Sequence, residues 1–176
     1  MKRVTTAVAT LAIWSCVASG GWAAEEGTVK ASAVWMGQGR IIPTGQGTLF
    51  YFAGTFSGIL FVDDAKGALH MAKILCPGVL EVDVNGGKQQ GQGRCLITAE
   101  SGEIYAQWSC AGTHQVDCKG PFVLTGGTGR FAGITGQGDF RVRTAVADVG
   151  INPKGEGDRE SSAGIAEWPA LQYRIP

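Results

Sequence analysis

Residues 126–138 read GGTGRFAGITGQG, and Gly127-x-Gly129-x-x-Ala132 within them matches the loose form of a dinucleotide fingerprint. Such a loop holds phosphate when a strand leads into it and a helix leaves it, so that the helix N-terminus meets the anion. A strand-like run does precede Gly126. No helix follows, because Ile134-Thr135-Gly136-Gln137-Gly138 breaks one within about two turns. The Gly-Lys-Ser/Thr of a P-loop is also missing from the segment. The stretch is therefore read as a turn between two strands. Gly126, Gly127, Gly129 and Gly133 allow positive φ or close backbone approach, and Phe131 is expected to plug the space beneath.

Cys110-x-x-x-His114-x-x-x-Cys118 sets two thiols and an imidazole close in sequence, and zinc uses such groups. The paired CxxC spacing of structural zinc sites is absent, so a disulfide with His114 in its turn is the expectation, and no metal. For acid–base work, Glu81 and Asp83 share one strand face by alternation, Asp63-Asp64 sit at a strand end, and His70 lies in a strand. A solvated face, a turn and a half-buried histidine account for them. No nucleophile elbow for a Ser-His-Asp triad occurs. The sequence names no catalytic residue and calls for no cofactor.

The aromatic residues are more informative. Trp35, Phe50, Tyr51, Phe52, Tyr105, Trp108, Phe131 and Tyr173 lie in runs rich in Val, Ile and Thr. In a small barrel most of them fill the interior, and some line a cavity near the mouth. Trp35, Tyr51, Tyr105 and Trp108 are taken as the ligand-cavity candidates.

What must position these residues is a set of strands. With 28 glycines punctuating short β-branched and aromatic runs, strands are expected near 28–36, 47–53, 55–62, 69–75, 79–84, 94–99, 103–110, 121–125, 138–146 and 162–173. The clearest hairpin joins 94–99 to 104–110 through a turn at Ser101-Gly102. Alternation puts Cys95, Ile97 and Ala99 on the face that carries Ile104, Ala106, Trp108 and Cys110. Leu96, Thr98, Tyr105 and Gln107 face the other way. Gly-Gln-Gly recurs at Gly37, Gly45, Gly91 and Gly136, and turns or bulges are its expected use. The polar segment 148–160, DVGINPKGEGDRE, reads as a long, disordered surface loop.

So many antiparallel strands in about 150 residues predict an all-β sandwich or barrel. A barrel of about eight strands is preferred because closure removes exposed edges.

The chain of 176 residues suits one domain. It opens Met1-Lys2-Arg3, continues without charge from Val4 to Val17, and reaches ASGGWAA before the first acids, Glu25 and Glu26. This is the layout of a secretory signal peptide, 1–24, ahead of a mature domain, 25–176. A lipoprotein box ending at Cys16 is the minor alternative. Charged residues interrupt every later apolar run, so no membrane-spanning segment is expected. Setting aside Lys2 and Arg3, the 15 Lys and Arg fall to 13 against 15 Asp and Glu, a net of about −2. That balance lacks the basic footprint of a nucleic-acid binder. Cys76, Cys95, Cys110 and Cys118 remain, an even number that suits two disulfides in a periplasmic or secreted protein. Sequence alone does not choose among the three pairings; Cys110–Cys118 with Cys76–Cys95 is favoured, although the hairpin sketch places Cys76 near the far end of the meander.

The stretch LTGGTGRFAGITGQGDF, residues 124–140, resembles a segment of the allene oxide cyclase and dirigent barrel superfamily. YFAGTFSGILFVDD and the spacing of CPG, GQGRC, WSC and CKG are similar to its exported bacterial members. The resemblance runs over residues 47–146. It implies an eight-stranded antiparallel barrel, calycin-like or allene oxide cyclase/dirigent-like, with a central cavity and association into homo-oligomers. Plant members use that cavity for cyclisation or for guiding radical coupling, but their acidic and tyrosine positions are not matched residue by residue to this chain, so the enzymatic roles do not carry over. The expectation is an exported barrel that binds a small hydrophobic molecule or a partner. A cyclase or isomerase and a purely structural envelope protein are the alternatives.

Overall fold

A computed structural model describes residues 24–45, 47–151, 153–154 and 157–176. The expected leader, with Cys16, lies outside the described residues save for Ala24. Eight strands follow in order: β1 (Glu25–Pro43), β2 (Leu49–Val62), β3 (Ala72–Asp83), β4 (Lys88–Ala99), β5 (Gly102–Thr113), β6 (Asp117–Gly127), β7 (Thr135–Ile151) and β8 (Gly157–Ile175). Each pairs antiparallel with the next, and β8 pairs with β1, so the sheet closes into a barrel. No helix among the described residues is long and apolar enough to cross a membrane.

Three boundaries differ from the sequence expectation. The runs 47–53 and 55–62 are one strand, β2, because Gly54 faces inward and leaves room for the Phe52 ring tip. The runs 69–75 and 79–84 likewise belong largely to one strand, β3. Pro77 interrupts its ladder with β4, but pairing resumes in the same register from Leu75↔Leu96 to Gly78↔Gly93. The segment 148–160 is mostly strand rather than a long loop, with β7 running to Ile151 and β8 starting at Gly157. Its polar composition reflects long strands that project beyond the packed core.

The Gly-Gln-Gly copies also need correction: Gly45 and Gly47 lie in a bend and a turn between β1 and β2, as expected. The other three sit inside β1, β4 and β7. Their glycines point inward, where a β-carbon would strike a neighbour. At Gly93 it would stand 2.7 Å from Trp108 Nε1, and at Gly39 2.5 Å from the Phe52 ring. These positions thin the wall so that large rings can lie across it.

The 94–110 hairpin has the expected faces, with Ile97↔Ile104 and Cys95↔Ala106 paired and all four buried. Its turn falls at Glu100-Ser101, since Ala99 pairs with Gly102. The disulfides are Cys76–Cys95 and Cys110–Cys118. Cys76 stands beside Cys95 on adjacent strands, not at the far end of the meander. Cys118 pairs in register with Gly112, so its bridge to Cys110 runs diagonally across β5 and β6.

Antiparallel connectivity divides the barrel into two ends. The β2–β3, β4–β5 and β6–β7 turns gather at one end with Glu25 and Ile175. Val62, Leu69, Ile104, Phe131, Ile134 and Ile175 are buried there and seal it. The other connections surround the opposite end, the mouth.

Candidate functional site

Alternation along the strands sends Ala33 and Trp35 of β1, Phe52 and Phe56 of β2, Trp108 of β5, Phe122 of β6, Phe140 of β7 and Trp168 of β8 into the interior. They form a connected set of rings. Trp35 meets Phe56 edge-on at 5.5 Å between centroids, Phe56 meets Trp108 at 6.1 Å, and Trp108 meets Phe140 at 6.2 Å. Phe140 stacks on Trp168 at 6.3 Å, and Phe122 meets Trp168 at 5.3 Å. Edge-to-face pairs of this kind add about 0.5–1.5 kcal/mol each beyond the area they bury, so the belt is a stiff wall.

Above the belt lies a cavity of about 90 Å³ whose lining turns polar toward the mouth, at Gln89, His114, Gln115, Thr144, Glu160 and Ser162. Both disulfides line it too. His114 enters from the β5–β6 turn, where its ring packs edge-on against Phe50 at 6.0 Å. Burial lowers its pKa, which favours the neutral imidazole. Cys110 and Cys118 are joined to each other, which removes the thiolates a zinc site would need. Among the described residues no group of three His, Cys, Asp or Glu could hold a metal.

Glu160 is the carboxyl on this wall. Burial raises its pKa above the usual carboxylate range, and a hydrogen bond with Ser162 partly opposes that. The indole Nε1 atoms of Trp35, Trp108 and Trp168 are buried with no acceptor among the described residues. For Trp108 the reason is visible. Its indole reaches sideways over Gly93 and Gly78, and its N–H edge is sealed against the backbone.

The four cavity candidates divide evenly. Trp35 and Trp108 line the cavity. Tyr51 and Tyr105 do not, and are corrected to the outer face, where Tyr51 donates to Glu81 at 3.0 Å and Tyr105 to Glu103 at 3.2 Å. Tyr51 pairs with Glu81 across β2 and β3 in an outward register, opposite in parity to Phe52. The acid–base candidates are structural as well. Asp83 accepts from the Gly86 amide at 3.0 Å, Asp63 pairs with Lys30 at 3.0 Å, and Asp64 accepts from the Lys66 amide at 3.2 Å. His70 Nδ1 accepts from the Val62 amide at 3.3 Å and holds the β2–β3 turn.

Sequence reasoning missed Phe56, Phe122, Phe140, Trp168, Glu160 and Ser162. Alternation from Phe52 finds Phe56. Glu160 and Ser162 were hidden because 148–160 was read as loop. Trp168 and Leu171 both face inward across a bulge in β8, where the register against β1 shifts near Val29 and Ala31, and this defeats simple counting.

At the sealed end, residues 126–138 run from the end of β6 through the 128–134 connection into β7, and the connection's only helical turn is the short 3-10 segment Gly129–Phe131. Gly126, Gly129 and Gly133 have positive φ, while Gly127 is pressed between Glu103 O and Phe131. Phe131 is 2% exposed. Arg130 and Tyr173 both donate to the Glu25 carboxylate and tie this turn to β1 and β8. The hydrogen bond from Arg130 is the main cause that holds Glu25 below its ordinary pKa.

Glu160 makes a pH prediction. A carboxyl with a raised folded-state pKa binds its proton more tightly folded than unfolded. Its contribution is therefore fully favourable below the unfolded pKa and is lost as pH rises through the folded pKa. Glu25 and Asp117, lowered chiefly by hydrogen bonds from Arg130 and Lys119, act oppositely but identically in wild type and variant. Melting temperatures of wild type and Glu160→Gln should therefore converge near pH 4 and separate by pH 8, with the variant more stable. A constant difference over that range would remove Glu160 from the wall.

No protein-family description and no curated protein matches this chain.

Proposed function

We propose that the chain is an exported barrel of the allene oxide cyclase/dirigent-like kind that binds one small, largely apolar ligand inside. The observation that carries this reading is the cavity between an aromatic belt and a polar mouth, in a barrel sealed at its other end. Ligand sites typically combine such apolar walls with a few polar groups that fix orientation. Two disulfides suit the oxidising compartment to which the N-terminal sequence points.

A cyclase or isomerase in the same cavity is the second reading, and Glu160 on the wall is the observation that favours it. Mass spectrometry of protein purified from its native envelope fraction tests the binding proposal. A small molecule released on denaturation, and lost from a Trp168→Ala variant that still folds, is the expected result. Protein free of any retained molecule, with tryptophan emission indifferent to a panel of small amphiphiles, would leave only a structural envelope role.

A further inference from the structure

We infer that the ligand is a cation, a compact alkyl- or quaternary ammonium ion held among the rings of Trp35, Phe56 and Trp108 with the Glu160 carboxylate as its counter-charge. The inference rests on the binding reading above and adds the chemical class.

Three features of the wall carry it. First, the described residues that line the cavity include no Lys or Arg, so an anion would enter with no cationic side chain on the lining to pair with. Second, the ionisable groups among the described lining residues are the Glu160 carboxyl and His114, whose pKa burial lowers, while Asp158, two residues along β8, is paired with Arg159 at 3.7 Å. Gly39 of β1 lies opposite Glu160, and Thr144 of β7 lines the same cavity. Third, the buried Nε1 edges leave carbon and π-surface as what the indoles offer to a ligand. The polar side chains gather toward the mouth, whereas the belt below offers ring faces that attract an ammonium ion. A carboxyl left partly desolvated in the empty cavity gains a partner when the cation arrives.

Choline, its uncharged isostere tert-butylethanol, and the anion of tert-butylacetic acid share one shape and differ in charge. Calorimetric titration of each into the oxidised protein should give choline about tenfold or more tighter than the alcohol, with the anion weakest, a ratio within reach of cation–π and ion-pair terms. Glu160→Gln should remove most of that preference, weakening choline far more than the alcohol. Equal binding of choline and the alcohol to wild type overturns the inference while the binding function stands. An unaltered choline preference in Glu160→Gln removes the counter-charge and overturns it as well. Failure of all three probes to bind, with no retained molecule in native protein, overturns both readings together.

Discussion

Phe131→Ala is expected to lower the free energy of unfolding by about 3–5 kcal/mol, the range for losing a buried phenylalanine. The upper half of that range applies because the surroundings are tied in place. Phe131 donates its amide to Thr128 O at 3.0 Å, and its own carbonyl accepts from Ile134 at 3.0 Å. Arg130 N bonds to Ser101 O at 2.9 Å and Thr128 N to Glu103 O at 2.8 Å, which pins the turn to the β4–β5 connection. The ring borders a void of about 70 Å³ also lined by Val62, Leu69, Ile134 and Ile175. Truncation enlarges an existing hole that the pinned turn cannot close. Urea titration should show a lower midpoint with an unchanged slope. Phe131→Leu, which keeps most of the volume, should cost about 1 kcal/mol. A loss below about 1 kcal/mol for the alanine variant would mean that the turn is an open loop.

The second large effect concerns the bridges. Replacing Cys76 and Cys95 by alanine should cost about 3 kcal/mol, because their bridge closes a loop with a sequence separation of 19. The Cys110–Cys118 bridge spans a separation of 8 and should be worth about 2.5 kcal/mol on the same chain-entropy account. Both link neighbouring strands and lie on the cavity wall, so the alanines also lose buried sulfur contacts. Losing both takes about 5–6 kcal/mol, a large part of the 5–15 kcal/mol typical of a domain. Circular dichroism melts of the two double variants and of the protein lacking all four thiols should show this order. A fully reduced protein that melts with the oxidised one would show that the bridges do not stabilise the fold.

The barrel class, the antiparallel order and the hairpin faces were legible because each follows from local alternation and short-range geometry, whereas the Cys76–Cys95 bridge ran against the hairpin sketch. The boundaries of individual strands were not legible. Gly54 and Pro77 look like breaks, yet an inward glycine in a coiled strand is a place for a ring, and Pro77 costs only a gap in one ladder. The same ambiguity made three Gly-Gln-Gly copies look like turns. The cavity was half legible. Trp35 and Trp108 were found by their size among strand residues, but Tyr51 and Tyr105 show that size does not give direction. Parity does, and the parity of Tyr51 could be counted only with β2 as one strand. Glu160 lay in a stretch whose polarity concealed a strand.

The pairing of β1 with β8 has a consequence in time. Glu25 lies against Ile175, so the seam joins residues 150 positions apart, the difference between those two numbers. Contacts that distant form slowly, since the loop between them must be closed before they stabilise anything. As a chain grows or is threaded through a pore from its N-terminus, β1 keeps one bare edge until the final strand arrives. The interior rings have no sealed space before then. Whatever the barrel holds can be enclosed only by a finished chain, so loading is an event that follows synthesis.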